Sequence, residues 1–154
     1  MVMKKILFVC LGNICRSPMA EFVMKRLVEE AGRAGEFEIA SAATSTEELG
    51  NPVYPPARAV LERRGINCEH KRARKITAAD YDKFDYIVCM DNSNFRNLNS
   101  FFPNDNGQKI SKIMSFAGSE RDVADPWYTR DFTTTENDIV EGLTGLLKYI
   151  LSKQ

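Results

Sequence analysis

The sequence has no excess of either charge: 21 lysines and arginines balance 21 aspartates and glutamates. Nucleic-acid and membrane-surface proteins carry a broad electrostatic footprint, so this balance excludes both as partners and makes any anion site local. No apolar run is long enough to span a bilayer. The short apolar stretch after Lys4-Lys5 ends in Gly12-Asn13 with no small-residue cleavage site behind it, so it does not read as a secretory leader. There is no internal repeat, no low-complexity tract, and no Gly-x-Gly-x-x-Gly after the first predicted strand, which a dinucleotide site would want. The chain has one histidine, His70, and one tryptophan, Trp127. Its four cysteines are not needed as a disulfide framework, because 154 residues at 44% hydrophobic can bury a core without one. A reduced, cytoplasmic setting is the expectation.

What is present alternates between strand and helix signals. Ile6 to Val9 reads as a buried parallel strand, and Met19, Phe22, Val23, Leu27 and Val28 fall on one face of a helix opened by Ser17-Pro18. Gly32 to Gly35 is a break, Glu36 to Ser41 a second strand, and 44–56 a polar surface loop. Residues 57–64 read as a helix stopped by Gly65. Asp85 to Met90 is the next central strand, with Asp91-Asn92 capping a helix to about Asn99. Lys109 to Met114 reads as a fourth strand and 115–134 mostly as loop. A last helix from near Thr135 buries Ile139, Leu143, Leu146, Leu147 and Ile150. The alternation predicts a single α/β domain over residues 1–154, with a parallel sheet covered on both faces. In such sheets ligands bind at the carboxyl ends of the strands, which is where Cys10 falls.

The segment Cys10-Leu11-Gly12-Asn13-Ile14-Cys15-Arg16-Ser17 carries the chemistry. A Cys-x5-Arg spacing is common alone; strand before and helix after make it a phosphate loop with its own nucleophile. Backbone N–H groups from Leu11 to Arg16, with the helix start beneath, suit an anion. Arg16 supplies a fixed fork for two phosphate oxygens. The same field favours the thiolate of Cys10, the reactive form. Gly12 permits close backbone approach, and Asn13 tolerates left-handed geometry.

A phosphoester's leaving oxygen needs a proton, and a carboxylic acid is the usual donor. Asp125-Pro126-Trp127-Tyr128 offers one: proline holds Asp125 extended, and Trp127 and Tyr128 form an apolar wall for a flat aromatic substrate. Asp-Pro also opens ordinary turns; its pairing with the cysteine loop is what gives Asp125 a catalytic reading.

Together these residues strongly resemble the low molecular weight protein tyrosine phosphatases. Residues 9–18, Ser41-Ala42-Ala43-Thr44-Ser45, residues 85–91 with Asn94, and Asp125-Pro126 with Tyr128 and Asp131-Phe132 carry the resemblance over essentially the whole chain. It implies a three-layer αβα fold of the Rossmann/flavodoxin-like kind with a four-stranded parallel sheet. It also implies hydrolysis of phosphotyrosine proteins or peptides through a phosphocysteine on Cys10, with Arg16 as clamp and Asp125 as general acid, and without metal or cofactor. Leu11, Gly12, Asn13, Ile14, Cys15 and Ser17 are the expected phosphate contacts, and Ser17 is placed to donate a hydrogen bond to the Cys10 thiolate. Asn13, Ser41 and His70 resemble a network that holds the loop in shape, although an extra residue between Glu69 and Arg74 shifts the histidine's alignment and a solvated histidine is the other reading. Cys15 either pairs with Cys10 under oxidation, as adjacent cysteines of the family do, or is a small buried hydrophobe.

Ile14 stands where related bacterial enzymes acting on phosphoarginine tend to carry threonine, which argues for tyrosine. The rim segment 46–54 lacks the early aromatic of many members; Leu49 or Tyr54 would substitute, and Glu47 and Glu48 would disfavour acidic residues around the phosphotyrosine. Two alternatives differ in class. An arsenate reductase of the same fold needs two further cysteines close together, whereas Cys68 and Cys89 are 21 positions apart and look structural. A non-catalytic phosphate-binding module would have no use for Cys10, Arg16 and Asp125 together. The basic stretch from Lys71 to Lys75 reads as a solvated face.

Overall fold

Strand β1 (Lys4–Cys10) lies inside a four-stranded sheet with β2 (Phe37–Ala43), β3 (Tyr86–Cys89) and β4 (Ile110–Lys112), in the order β2-β1-β3-β4. A computed structural model describes residues 2–106 and 108–153. Every pairing is parallel, with Val9 opposite both Ala42 and Cys89. Successive side chains of β1 serve different layers, as the twofold strand period requires. Ile6, Phe8 and Cys10 join one apolar cluster; Leu7 and Val9 join the other. The first cluster takes in α1 (Arg16–Glu30), α2 (Pro55–Arg63) and α6 (Phe132–Leu151); the second takes in Phe84, after α3 (Ala78–Lys83), and Leu98 of α4 (Asn92–Phe101). This is the three-layer αβα arrangement. It accounts for the continuous apolar run of β1, which has no solvent face.

From β1 the chain turns toward β2, and from β3 toward β4, so the connections leaving these two neighbours diverge. The crevice between them, at their carboxyl ends, is the switch point where open α/β sheets hold ligands. The loop 11–15 and Asp91 both sit there. Helix α6 is tied close to the 3₁₀ turn Ile113–Ala117: a side chain at Gly145 would collide with the Phe116 carbonyl.

Several element boundaries depart from the sequence reading. Helix α1 begins at Arg16, with Cys15 flanking it and no side-chain cap; the Ser17 hydroxyl is engaged with Cys10 and Asn13 instead. The second strand runs on to Ala43, because its last residues pair with β1 and with Lys75. Helix α2 starts at Pro55, where proline suits the first turn. The fourth strand stops at Lys112 and passes into the 3₁₀ turn. The segment read as mostly loop holds a short helix α5 (Pro126–Thr129), and α6 begins at Phe132, capped by Asp131. Helix α3, set by a Thr77–Asp80 capping box, was not expected. Leu27 and Leu147 are only partly buried, while the other named helix positions are core.

Candidate active site

Cys10 ends β1, and the chain then turns sharply through Asn13, which has a φ of +59°. Asparagine tolerates this left-handed conformation better than most side chains. The turn brings the Asn13 amide N–H to 3.3 Å from Cys10 Sγ, and the first turn of α1 brings Ser17 Oγ to 3.0 Å from the same sulfur. The exit of β2 braces the loop from the side: Thr44 N–H donates to the Cys10 carbonyl, and the Ser45 hydroxyl to that of Leu11 at 2.8 Å. An added Cβ at Gly12 would stand 3.3 Å from Glu48 Cγ, so the rim segment closes against a residue with no side chain.

Behind the sulfur runs a chain of buried hydrogen bonds. Asn13 Nδ2 donates to Ser17 Oγ at 2.7 Å and to Ser41 Oγ at 2.9 Å, while Asn13 Oδ1 accepts from the Arg74 amide at 3.2 Å. The Ser41 hydroxyl donates to Glu21 Oε1 at 2.5 Å. Glu21, itself buried, is 2.6 Å from Lys25 Nζ and 3.6 Å from Lys71 Nζ; Lys71 also donates to the Ser41 carbonyl at 3.0 Å. Burial pushes the Lys71 amine below its ordinary pKa, against the pull of Glu21. His70 lies outside this chain: it is exposed and meets the edge of Phe22, with ring centroids 5.9 Å apart. Lys71, one residue on, enters the network where a histidine was expected.

In front of the sulfur is a cleft of about 180 Å³ lined by Leu11, Gly12, Ile14 and Cys15 of the loop, by Arg16 and Asp125, by Glu47 and Glu48, and by Trp127 and Tyr128. Arg16 is 2% exposed and held on two sides: its Nη1 donates to Asp91 Oδ2 at 2.7 Å and to the Val123 carbonyl at 2.8 Å, while Nη2 lies 3.4 Å from Asp125 Oδ2. Burial works against its charge, but Cys10, Asp91 and Asp125 outweigh that and hold its pKa above the ordinary arginine value. Asp125 Oδ1 accepts from the Trp127 amide at 3.0 Å, which orients the carboxylate from the α5 start. Burial, reinforced by Cys10 and Asp125, pushes the Cys15 thiol up to about 12.

The expected phosphate contacts therefore divide. Leu11, Gly12, Ile14 and Cys15 line the cleft, whereas Asn13 and Ser17 are fully buried and face the network behind it. Of the expected rim, Trp127 and Tyr128 form a wall; Leu49 does not line the cleft and is exposed to solvent, because 47 and 48 turn inward before it. Tyr54 stands behind the wall rather than in it: its ring packs on Trp127 at 4.7 Å, and its hydroxyl accepts from Arg130 at 3.0 Å. Sequence reasoning missed Glu21 and the grip of Asp91 on Arg16. The first had a local signal, since Ser17, Glu21 and Lys25 recur at four-residue spacing on one face of α1.

Residues 5–154 match the family model described as low molecular weight phosphotyrosine protein phosphatase. The chain belongs to this family. A phosphatase of Schizosaccharomyces pombe with the same description is 43% identical over 127 residues, covering 80% of this chain and 81% of its own length. The low molecular weight protein-tyrosine-phosphatase YfkJ of Bacillus subtilis is 37% identical over 150 residues, 96% of each chain. Its crystal structure superposes with a TM-score of 0.95 over 100% of this chain and 98% of that one, at 36% identity. A Drosophila arginine phosphatase superposes with a TM-score of 0.87 at 29% identity, over 95% and 97% of the two chains. Among the described residues no helix is long and apolar enough to cross a membrane.

Proposed function

We propose that this phosphatase hydrolyses phosphotyrosine in proteins or peptides through a phosphocysteine on Cys10. The observation that carries the reading is the convergence of Cys10, Arg16 and Asp125 on one cleft, with a hydroxyl 3.0 Å from the sulfur. In the first step Cys10 Sγ attacks phosphorus, the bond to the phenolic oxygen breaks, and Asp125 gives that oxygen its proton. In the second, Asp125 takes a proton from water as the water attacks phosphorus; the S–P bond breaks and inorganic phosphate leaves. Arg16, the loop amides and the α1 start hold the equatorial oxygens through both steps, a role of position and charge. No metal or cofactor enters this scheme.

Ile14, Trp127 and Tyr128 all line the cleft and give an aromatic ring apolar surface, which favours tyrosine over phosphoarginine. A thiolate nucleophile is lost on oxidation, so the reduced cytoplasm is the proposed setting. An arsenate reductase relay is disfavoured by burial: Cys68 and Cys89 belong to different apolar clusters and neither lines the cleft. The test is hydrolysis of an aryl phosphate in excess chelator and thiol reductant. Turnover by the wild type and none by Cys10→Ser is the expected result. Wild-type-like turnover by Cys10→Ser ends the assignment, and thioredoxin-coupled arsenate reduction without hydrolysis would favour the reductase.

A further inference from the structure

Tyr54 does not line the cleft, yet it touches both halves of the proposed machinery. Its backbone N–H donates to the Ile14 carbonyl of the nucleophile loop at 2.9 Å. Its ring packs on Trp127 with centroids 4.7 Å apart and stacks with Phe132 at the start of α6. Its hydroxyl accepts from Arg130 Nη1 at 3.0 Å, and the same nitrogen lies 3.5 Å from the Trp127 carbonyl. We propose that Tyr54, locked by Arg130, is a positioning residue for Asp125. It braces the acid's short helix against the nucleophile loop and so fixes where the carboxyl meets the leaving oxygen. This rests on the reading of Asp125 as the general acid.

Helix α5 has four residues and too few internal hydrogen bonds to hold its own place, so its position comes from its neighbours. Upstream of Asp125 the chain is well anchored. Val123 N–H donates to the Met90 carbonyl at 2.9 Å, the Val123 carbonyl accepts from Arg16, and the Ala124 carbonyl accepts from the Thr135 hydroxyl. Downstream, Trp127 carries the amide that orients Asp125 Oδ1, but its side chain is 44% exposed. Tyr54 and Arg130 supply the hold on that side. Arg130 has a φ of +60°, a region that an L side chain enters at a cost, and its amide donates to the Pro126 carbonyl at 2.9 Å. From that turn its guanidinium lies over the Tyr54 ring, 5.6 Å from the centroid. Arg16 also links Asp125 to the nucleophile loop, through charge. A bound phosphate competes for that guanidinium, whereas the Tyr54 brace stands outside the cleft and has no such competitor.

A misplaced acid matters most where the departing phenolate most needs a proton. The experiment measures kcat/KM, which covers the step in which the phenol leaves, on aryl phosphates from phenyl to dinitrophenyl phosphate. Tyr54→Leu removes ring and hydroxyl, and is expected to lower kcat/KM on phenyl phosphate by about ten-fold. The loss on dinitrophenyl phosphate should be far smaller, so the dependence on leaving-group acidity steepens. Tyr54→Phe loses only the hydroxyl tie, and Arg130→Asn removes the guanidinium with a residue that tolerates the left-handed turn. Both should show the same pattern with a loss of a few-fold. In an Asp125→Asn background Tyr54→Leu should cost nothing further on phenyl phosphate. If Tyr54→Leu folds poorly, Tyr54→Phe, which keeps the ring in its packing, carries the test. An unchanged kcat/KM, a loss of equal size across the series, or a full further loss in the Asp125→Asn background overturns the proposal. The two readings fail separately. Asp125→Asn with no leaving-group dependence would sink the acid itself, whereas a steep Asp125→Asn beside a flat Tyr54→Leu overturns only the brace.

Discussion

The guanidinium of Arg16 and the carboxylate of Asp125 lie 3.4 Å apart, so the clamp and the acid of the proposed reaction are paired with one another. A phosphate dianion entering the cleft would compete with Asp125 for the guanidinium. Asp125→Asn removes both the acid and the competing negative charge. Its kcat on phenyl phosphates should fall by roughly 10²–10⁴-fold, while inorganic phosphate should inhibit more tightly than it inhibits wild type. Steady-state inhibition at neutral pH checks both at once.

Asp91 does two jobs that can be separated. One oxygen caps α4 by accepting from Asn94 N–H at 2.7 Å; the other holds Arg16. Asparagine caps as well as aspartate does, whereas alanine does not. Asp91→Asn should therefore keep the thermal midpoint near wild type yet lower kcat/KM by about ten-fold or more, the scale of a charge-assisted hydrogen bond. Asp91→Ala should lose a further ~1 kcal/mol of stability. Thermal denaturation beside kinetics distinguishes the two.

Cys15 sits one residue before Arg16 in the same loop but is held protonated by burial, with a pKa of about 12. Near neutral pH its thiolate fraction is negligible, and thiolate is the alkylated form. Iodoacetamide at pH 7 should label Cys10 and leave Cys15, and peptide mapping reads the ratio. Labelling of Cys15 at a comparable rate would contradict the assignment of reactivity to Cys10.

Asp80 links stability to the loop. Burial works against its charge, but donors from Arg74 and Thr77 more than offset this and hold its pKa below the ordinary value; Arg74 also presents its amide to Asn13. A carboxyl depressed in the folded state stabilises above its unfolded value of about 3.9 and loses that contribution as pH falls through the folded value. Asp80→Asn should cost about 1 kcal/mol at neutral pH, modest because Arg74 is partly solvated. The gap from wild type should close below about pH 4. Urea unfolding across that range measures it; a constant gap would place the loss elsewhere.

Long periodic segments were readable from sequence, and short ones were not. β1 and α6 announce themselves by burial pattern, whereas α3 and α5, six and four residues long, complete too little of a period to register. α3 is marked only by Thr77 and Asp80. In the site, Cys10 and Arg16 were legible because one loop carries both, and Asp125 because proline singles it out. Asp91 and Val123 reach Arg16 through space across 75 and 107 residues, contacts that sequence spacing does not show. His70 was read either as a network member or as a solvated side chain; it is exposed against Phe22, and Lys71, one residue on, reaches the network. Leu49 looked like a rim contact by hydrophobicity, but the turn aims its acidic neighbours inward.

If the phosphoryl group passes through Cys10, a covalent phosphocysteine forms on the way to inorganic phosphate. Rapid quenching of the enzyme during turnover of an aryl phosphate, followed by mass mapping of its peptides, tests it most directly. Phosphate is expected on the peptide from β1 and the loop, at Cys10, appearing before inorganic phosphate and absent from Cys10→Ser. Steady turnover with the label on another residue, or an enzyme never phosphorylated at all, would contradict it.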